Sequence, residues 1–402
     1  LPRLTGVNGL ASNSLIALDK DVQRTLTRAA TPVCADGARL HEWRECVSAA
    51  YTAEWDALAA IASEPNPFFE SWYLQPSLEA LDPHGDVQIL AVGHGDKLVG
   101  LMPVERTLRY YSYPLPNISN WTHPNCFLGS PLVARGQETA FWTALLAWAD
   151  ERPRGGLFLH LQHIPLEGAL IDALREVIAV DARPSALVHR EQRAMLASPL
   201  SAEDYFAQSM SGKKRKELRR QHKRLSELGE LAITRQSDEM DVGAWVADFL
   251  ALELSGWKGK AGSALAAASE TNQLFTQALT TAALRGQLER LAITLDGRPI
   301  AMLANLISGA GSFSYKTAFD EDYARFSPGV LLQRENLAML DSDGTEWADS
   351  CASADHPMID RIWRERRAIG RVSIGIGGSL RQSIFRQLAK HEIGREPDGI
   401  GS

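Results

Sequence analysis

The stretch between residues 288 and 340 limits the possible folds more than any other. Three apolar, β-rich runs follow one another at 288–295, 299–307 and 311–318. Asp296-Gly297 joins the first two and suits a tight hairpin. Ser308-Gly309-Ala310 makes the next joint, so an antiparallel meander is expected. The spacing then turns helical over 330–340. Ser327 suits the N-cap of that helix, and Pro328 its first position. A helix starting just past a strand aims free backbone N–H groups and the positive end of its dipole at the loop before it. Such a turn suits phosphate, and Arg325 adds a cation. A capped helix with no ligand is the plain alternative.

Other elements extend this pattern in both directions. Trp43, Val47, Tyr51, Trp55, Leu58 and Ile61 give a buried helical face over 42–63, closed by Pro65 and Pro67. A helix at 68–81, strands at 87–92 and 98–104, a helix at 138–151, a strand at 156–162, a helix at 169–177 and a strand at 186–196 follow. Between them, residues 109–135 are aromatic and Pro-rich, a long connection of the kind that often carries function. A boundary is expected near Ser198-Pro199. Beyond it come helices at 202–210 and 211–228, a strand at 231–236 and helices at 241–255 and 272–285. After the meander and its helix, a strand at 345–349, a helix at 358–366 and a strand at 372–376 are expected.

The chain has 402 residues, of which 45% are hydrophobic and 23% charged, enough to build two domains and too apolar for disorder. The net charge of −7 argues against a chain that coats nucleic acid. Four cysteines lie far apart with no C-x-x-C pair, which speaks against a common structural zinc site and fits a reducing compartment. No run of about 18 apolar residues suggests a spanning helix, and residues 1–11 do not read as a secretory signal. A cytoplasmic location is expected.

Several polar groups are candidates for chemistry. Proton transfer near neutral pH needs a side chain able to accept a proton there. His356 and Asp355, before Pro357, are candidates, and Glu253, followed by Trp257 and Lys258, is their rival. Each has a bland reading, a helix start or a satisfied carboxylate. Tyr315 is a candidate proton donor or a core residue. The helix carrying Lys213, Lys214, Arg215, Lys216, Arg219, Arg220, Lys223 and Arg224 reads as a solvated face, a landing pad for anionic lipid headgroups, or a phosphate contact. Trp121, in the aromatic loop, is a candidate for lining a substrate groove.

Glu253…Gly256-Trp257-Lys258-Gly259, Tyr315-Lys316…Asp320-Glu321…Tyr323-Ala324…Ser327-Pro328-Gly329-Val330-Leu331-Leu332, Asp355-His356-Pro357 and Trp363 together resemble the GNAT superfamily, and within it the CelD-like (BioF2-like) acyltransferases. FemAB-type aminoacyltransferases share the two-domain plan. The usual Gly-x-Gly phosphate loop is reduced here to Gly329. The resemblance implies an α/β (α+β) fold of two tandem GNAT-like domains, each a mixed, mostly antiparallel sheet flanked by helices. The expected division is an extension at 1–32, a degenerate copy at 33–198, an acyl-CoA-binding domain at 199–390 and a tail at 391–402.

The resemblance also implies acyl-CoA as co-substrate, with no metal. Tyr315, Lys316, Arg325, Ser327, Pro328, Gly329, Val330 and Leu331 would bind it. Trp257, Lys258 and Trp121 would face the acceptor. His356, Asp355, Glu253 and Tyr315 would carry the proton chemistry. The expected acceptor is the amine of a sphingoid-base-like lipid, as in bacterial ceramide synthases, with peripheral contact to the inner face of an anionic membrane through 213–224. An amino-sugar acetyltransferase, a FemAB-like aminoacyltransferase and a non-catalytic scaffold are the alternatives.

Overall fold

The computed structural model describes residues 37–95, 97–151, 156–354, 356 and 358–401. The expected extension at 1–32, Asp355 and Pro357 lie outside the described residues.

The first half runs β1 (Ala38–Glu42), α1 (Ala49–Ala60), α2 (Ser71–Leu81), β2 (Gln88–His94), β3 (Lys97–Thr107), β4 (Asn117–Asn120), β5 (Leu132–Val133), α3 (Glu138–Asp150), β6 (Phe158–Pro165), α4 (Ala169–Val180) and β7 (Ser185–Leu196). The second runs α5 (Ala202–Ser209), α6 (Gly212–Ser226), β8 (Leu231–Gln236), α7 (Val242–Ser255), the short α8 (Trp257–Lys260), α9 (Ser269–Leu284), β9 (Leu288–Leu295), β10 (Arg298–Ser308), β11 (Gly311–Phe319), α10 (Pro328–Asn336), β12 (Trp347–Asp349), β13 (Glu365–Gly375), α11 (Ser379–Ile393) and β14 (Asp398–Gly399). The mixed, mostly antiparallel sheet flanked by helices is the expected fold class.

Both halves use one pairing scheme. β1 to β4 form antiparallel neighbours, and β4 then lies parallel to β6 across a crossover containing α3. β8 to β11 repeat this, and β11 lies parallel to β12 across α10. The sheets then interlock. β13 sits between β6 and β7, while β7 sits between β13 and β12. Each half thus completes its sheet with a strand from the other. The joint near Ser198-Pro199 separates helices, not sheets.

Three sequence expectations are corrected. Residues 358–362 form turns and the chain enters β13 at Glu365, so the expected helix at 358–366 is absent. The helix-like spacing of Ile359, Ile362 and Trp363 reflects their packing with Tyr205, Leu337 and Met339. Residues 391–402, expected as a tail, carry the end of α11 and β14, which pairs parallel to β7. Ser327 does not cap α10 with its side chain. Its φ is +55°, a left-handed turn, and its carbonyl oxygen accepts from Val330 and Leu331, both at 3.0 Å.

The sheet separates two apolar layers. On β10, Met302, Ala304 and Leu306 pack with Phe249, Phe275 and Tyr315. Ile300, Ala301 and Leu303 face Leu218, Leu225 and Leu331 of α6 and α10. From Ala301 onward, past the bulge at Pro299/Ala301, this is the period-two alternation that a strand buried on both faces requires.

Candidate active site

β12 stops at Asp349, which is level with Phe313 on β11. Among the described residues no strand covers β11 beyond that point on the β12 side, so its edge opens from Ser314 onward. A β-bulge marks the same place. Ala304 pairs with Lys316 and Asn305 with Ser314, leaving Tyr315 without an opposite residue. Bulges of this kind bend a strand and re-aim its side chains.

Tyr315 is 2% exposed among Phe68, Tyr73, Phe127 and Phe275. Its hydroxyl lies 2.9 Å from that of Tyr73 on α2. Tyr73 donates to the backbone carbonyl of Asn125 at 2.6 Å. That oxygen can only accept, so Tyr315 donates to Tyr73. Burial pushes both phenols above their usual range.

The Lys316 ammonium donates to Asn125 Oδ1 at 2.8 Å and lies over the rings of Phe127 and Tyr315. Burial, reinforced by the charge of Lys258, lowers it to about 8. His123 stacks on Tyr73, and burial with the charge of Lys316 holds it down to about 3. Its Nδ1 accepts the Asn125 N–H at 3.4 Å. Burial pushes the Cys126 thiol up to about 12 and raises Cys351 as well.

The remaining candidates divide. Both oxygens of Glu253 are engaged, Oε1 by Lys258 Nζ at 2.6 Å and Oε2 by the Leu265 N–H at 2.7 Å. This is a satisfied carboxylate that pins the turn after α8. His356 is half-buried, its Nδ1 has no hydrogen-bond partner, and burial with the charge of Lys258 lowers it. Its imidazole is neutral at neutral pH. Trp257 is 57% exposed, and its N–H is tied to Glu321 at 2.7 Å. Trp121 is buried against His123, the ring centroids 5.1 Å apart.

The turn into α10 offers fewer amides than its sequence promises. Pro328 has none, and those of Val330 and Leu331 are taken by Ser327. Gly329 is packed, since a Cβ there would lie 2.6 Å from Met358 Sδ and 3.3 Å from Phe319. Arg325 is exposed beside Phe326.

Sequence reasoning missed Tyr73, His123, Asn125, Cys126, Phe127 and Cys351. The one signal available was the length and aromatic character of the 109–135 connection. In the first half that connection fills the equivalent opening. Asn120 donates to the carbonyls of Gly129 and Gln162, both at 2.9 Å, and accepts the Gln162 N–H at 2.7 Å. Gly129 fits only because it has no Cβ, which would lie 2.0 Å from the Gln162 oxygen. The loop therefore closes one cleft and furnishes the other. Among the described residues no cluster of His, Cys, Asp and Glu could hold a metal ion.

Residues 212–356 match the family described as Acetyltransferase (GNAT) domain. No curated protein sequence matches the chain. Among solved structures, FemX shares the fold at 12% identity, with a TM-score of 0.54 over 84% of this chain and 98% of its own. A conserved protein of unknown function from Bacteroides thetaiotaomicron overlaps at 11% identity and a TM-score of 0.51, over 81% of this chain and 97% of its own. The C-terminal domain (DUF2156) of a putative lysylphosphatidylglycerol synthetase from Agrobacterium fabrum gives 10% identity and a TM-score of 0.50, over 84% and 95%. The matched residues 212–356 contain the opened strand with Tyr315 and Lys316, and they end at His356.

Proposed function

We propose that this chain is an N-acyltransferase that moves an acyl group from a CoA thioester to the amine of a sphingoid-base-like lipid, working at the inner face of a membrane. A GNAT-type domain implies an acyl-CoA co-substrate and an amine acceptor. The observation that carries the reading is Lys316, a half-buried cation beside a bulge at the open edge of β11.

The thioester lies along that edge, in the second half, with its carbonyl toward Lys316. The acceptor nitrogen attacks the carbonyl carbon. The N–C bond forms, the C–S bond breaks, and His356 takes the proton from nitrogen. Lys316 stabilises the charge on oxygen and protonates the departing sulfur. An ammonium held near 8 is matched to a thiol, whose ordinary pKa is about 8.5. Tyr315, its hydroxyl committed as a donor to Tyr73, positions Lys316. The Gly329 amide and Arg325 meet the pyrophosphate, with Ser327, Pro328, Val330 and Leu331 shaping the turn. Lys258 holds Glu253 and faces His356, and Asp355 remains a second proton acceptor.

A lipid acceptor is supported by the exposed Trp257 and Leu254 beside Lys258 and by the exposed cations of α6. Release of free thiol, followed with long-chain and acetyl CoA and with sphinganine or glucosamine, tests this. The reading requires release that depends on long-chain CoA and sphinganine. Release with acetyl-CoA and the amino sugar alone would move the chain to an amino-sugar acetyltransferase. A second reading, aminoacyl transfer from charged tRNA, is favoured by the overlap with nearly the whole of FemX. Transfer from aminoacyl-tRNA without any CoA would establish it.

A further inference from the structure

The basic helix α6 does more than expose charge. Arg215 and Arg219, one turn apart, share a cavity of about 420 Å³ with Arg334 of α10. Among the described residues none of these three guanidiniums makes an ion pair or a side-chain hydrogen bond. Arg334 lies over the Phe206 ring at 5.4 Å, and Arg215 Nε is buried without a partner. Three like charges held around one space repel each other until an anion enters. Glu203, Glu335 and Asp341 line the same cavity, and Asp341 is occupied by the Ala202 N–H at 3.1 Å. Ala202, Ala207, Ala338 and Phe206 supply an apolar wall. The helices bearing this cavity pack on the sheet face opposite to Tyr315.

The geometry points to a second binding site here, for a phosphate ester that also carries an ammonium group. The arginines take the phosphate oxygens, and charge-assisted bonds from guanidinium to phosphate are strong and directional. Glu203 and Glu335 repel polyanions and receive the ammonium. Ethanolamine phosphate is the simplest ligand with both groups, free or as a phospholipid headgroup. The site does not depend on how the thioester is bound, and its test uses no acyl-CoA.

The test is calorimetric titration of the full chain with O-phosphoethanolamine and with glycerol 3-phosphate. It is paired with sedimentation on phosphatidylcholine vesicles with and without phosphatidylethanolamine. Arg334→Gln and Arg215→Gln are compared with wild type, and circular dichroism confirms their fold. Binding of O-phosphoethanolamine, weakened about tenfold in each variant, supports the site with a soluble ligand. Arginine-dependent sedimentation that requires phosphatidylethanolamine, without binding of the soluble ester, supports it with a lipid headgroup. Binding that is absent in both formats, or unchanged in both variants, overturns it. Glycerol 3-phosphate binding as tightly as O-phosphoethanolamine overturns the ammonium assignment.

Discussion

The Tyr315 hydroxyl donates a hydrogen bond to that of Tyr73, 2.9 Å away and 242 positions earlier in the chain. The bond ties the bulge of β11 to a helix of the other half, and the chain of donors ends on the Asn125 carbonyl. Tyr73→Phe leaves the Tyr315 hydroxyl and that carbonyl buried without partners. Each such loss costs about 1–3 kcal/mol. Urea unfolding should show the destabilisation, and turnover should fall because Asn125 also holds Lys316.

Lys316 must be charged to act, and its ammonium is held at about 8. Turnover is expected to fall as pH rises through that value, and Lys316→Met should lose turnover at every pH. Stability should move the other way. The unfolded lysine titrates near its ordinary 10.5, so between about 8 and 10.5 the unfolded chain binds the extra proton. Wild-type stability therefore rises with pH across that window, and Lys316→Met should lack the rise. Urea midpoints at pH 8 and pH 10 provide the check.

His356 acts when neutral. Burial and Lys258 lower its pKa, so the neutral form is kept to more acidic pH than for a free histidine. Turnover should fall only below the ordinary histidine value of 6.5. In His356→Gln the rate should drop about 10²–10⁴-fold and this acidic limb should vanish. A limb that persists in the variant would pass the role to Asp355.

The interlocked strands make a prediction about dissection. β13 lies between β6 and β7, so a chain ending at residue 360 removes an interior strand of the first sheet. It also strips one of two partners from β6, which keeps β4, and leaves most of β7 unpaired. Neither that fragment nor residues 37–198 alone should give a cooperative thermal transition, whereas the full chain should. Independent folding of 37–198 would show that the exchange is dispensable.

The meander and the start of its helix were legible because each follows from local rules: period-two burial on β10, Asp296-Gly297 at the turn, and Pro328 at the first helical position. Glu253, Lys258, Tyr315, Lys316 and His356 were singled out from the sequence, and Lys258 does bond Glu253. Their partners were not recognisable. Asn125 reaches Lys316 from 191 positions away, and nothing in its local sequence sets it apart from Trp121, the residue singled out in that loop. The strand exchange was hidden for a related reason. A strand's apolar pattern declares that it is buried on both faces, but not which neighbours it pairs with. Ser327 failed because a good N-cap residue fixes no φ, and here the chain needs a left-handed turn.

The central claim is one of place: the thioester donor lies along the open edge of β11. Hydrogen–deuterium exchange with and without long-chain acyl-CoA tests it most directly. Protection is expected over residues 314–320 and 326–331, and unchanged exchange over 118–122, where Asn120 and Gly129 close the equivalent opening. Protection confined to the first half, or none at saturating donor, would contradict the account.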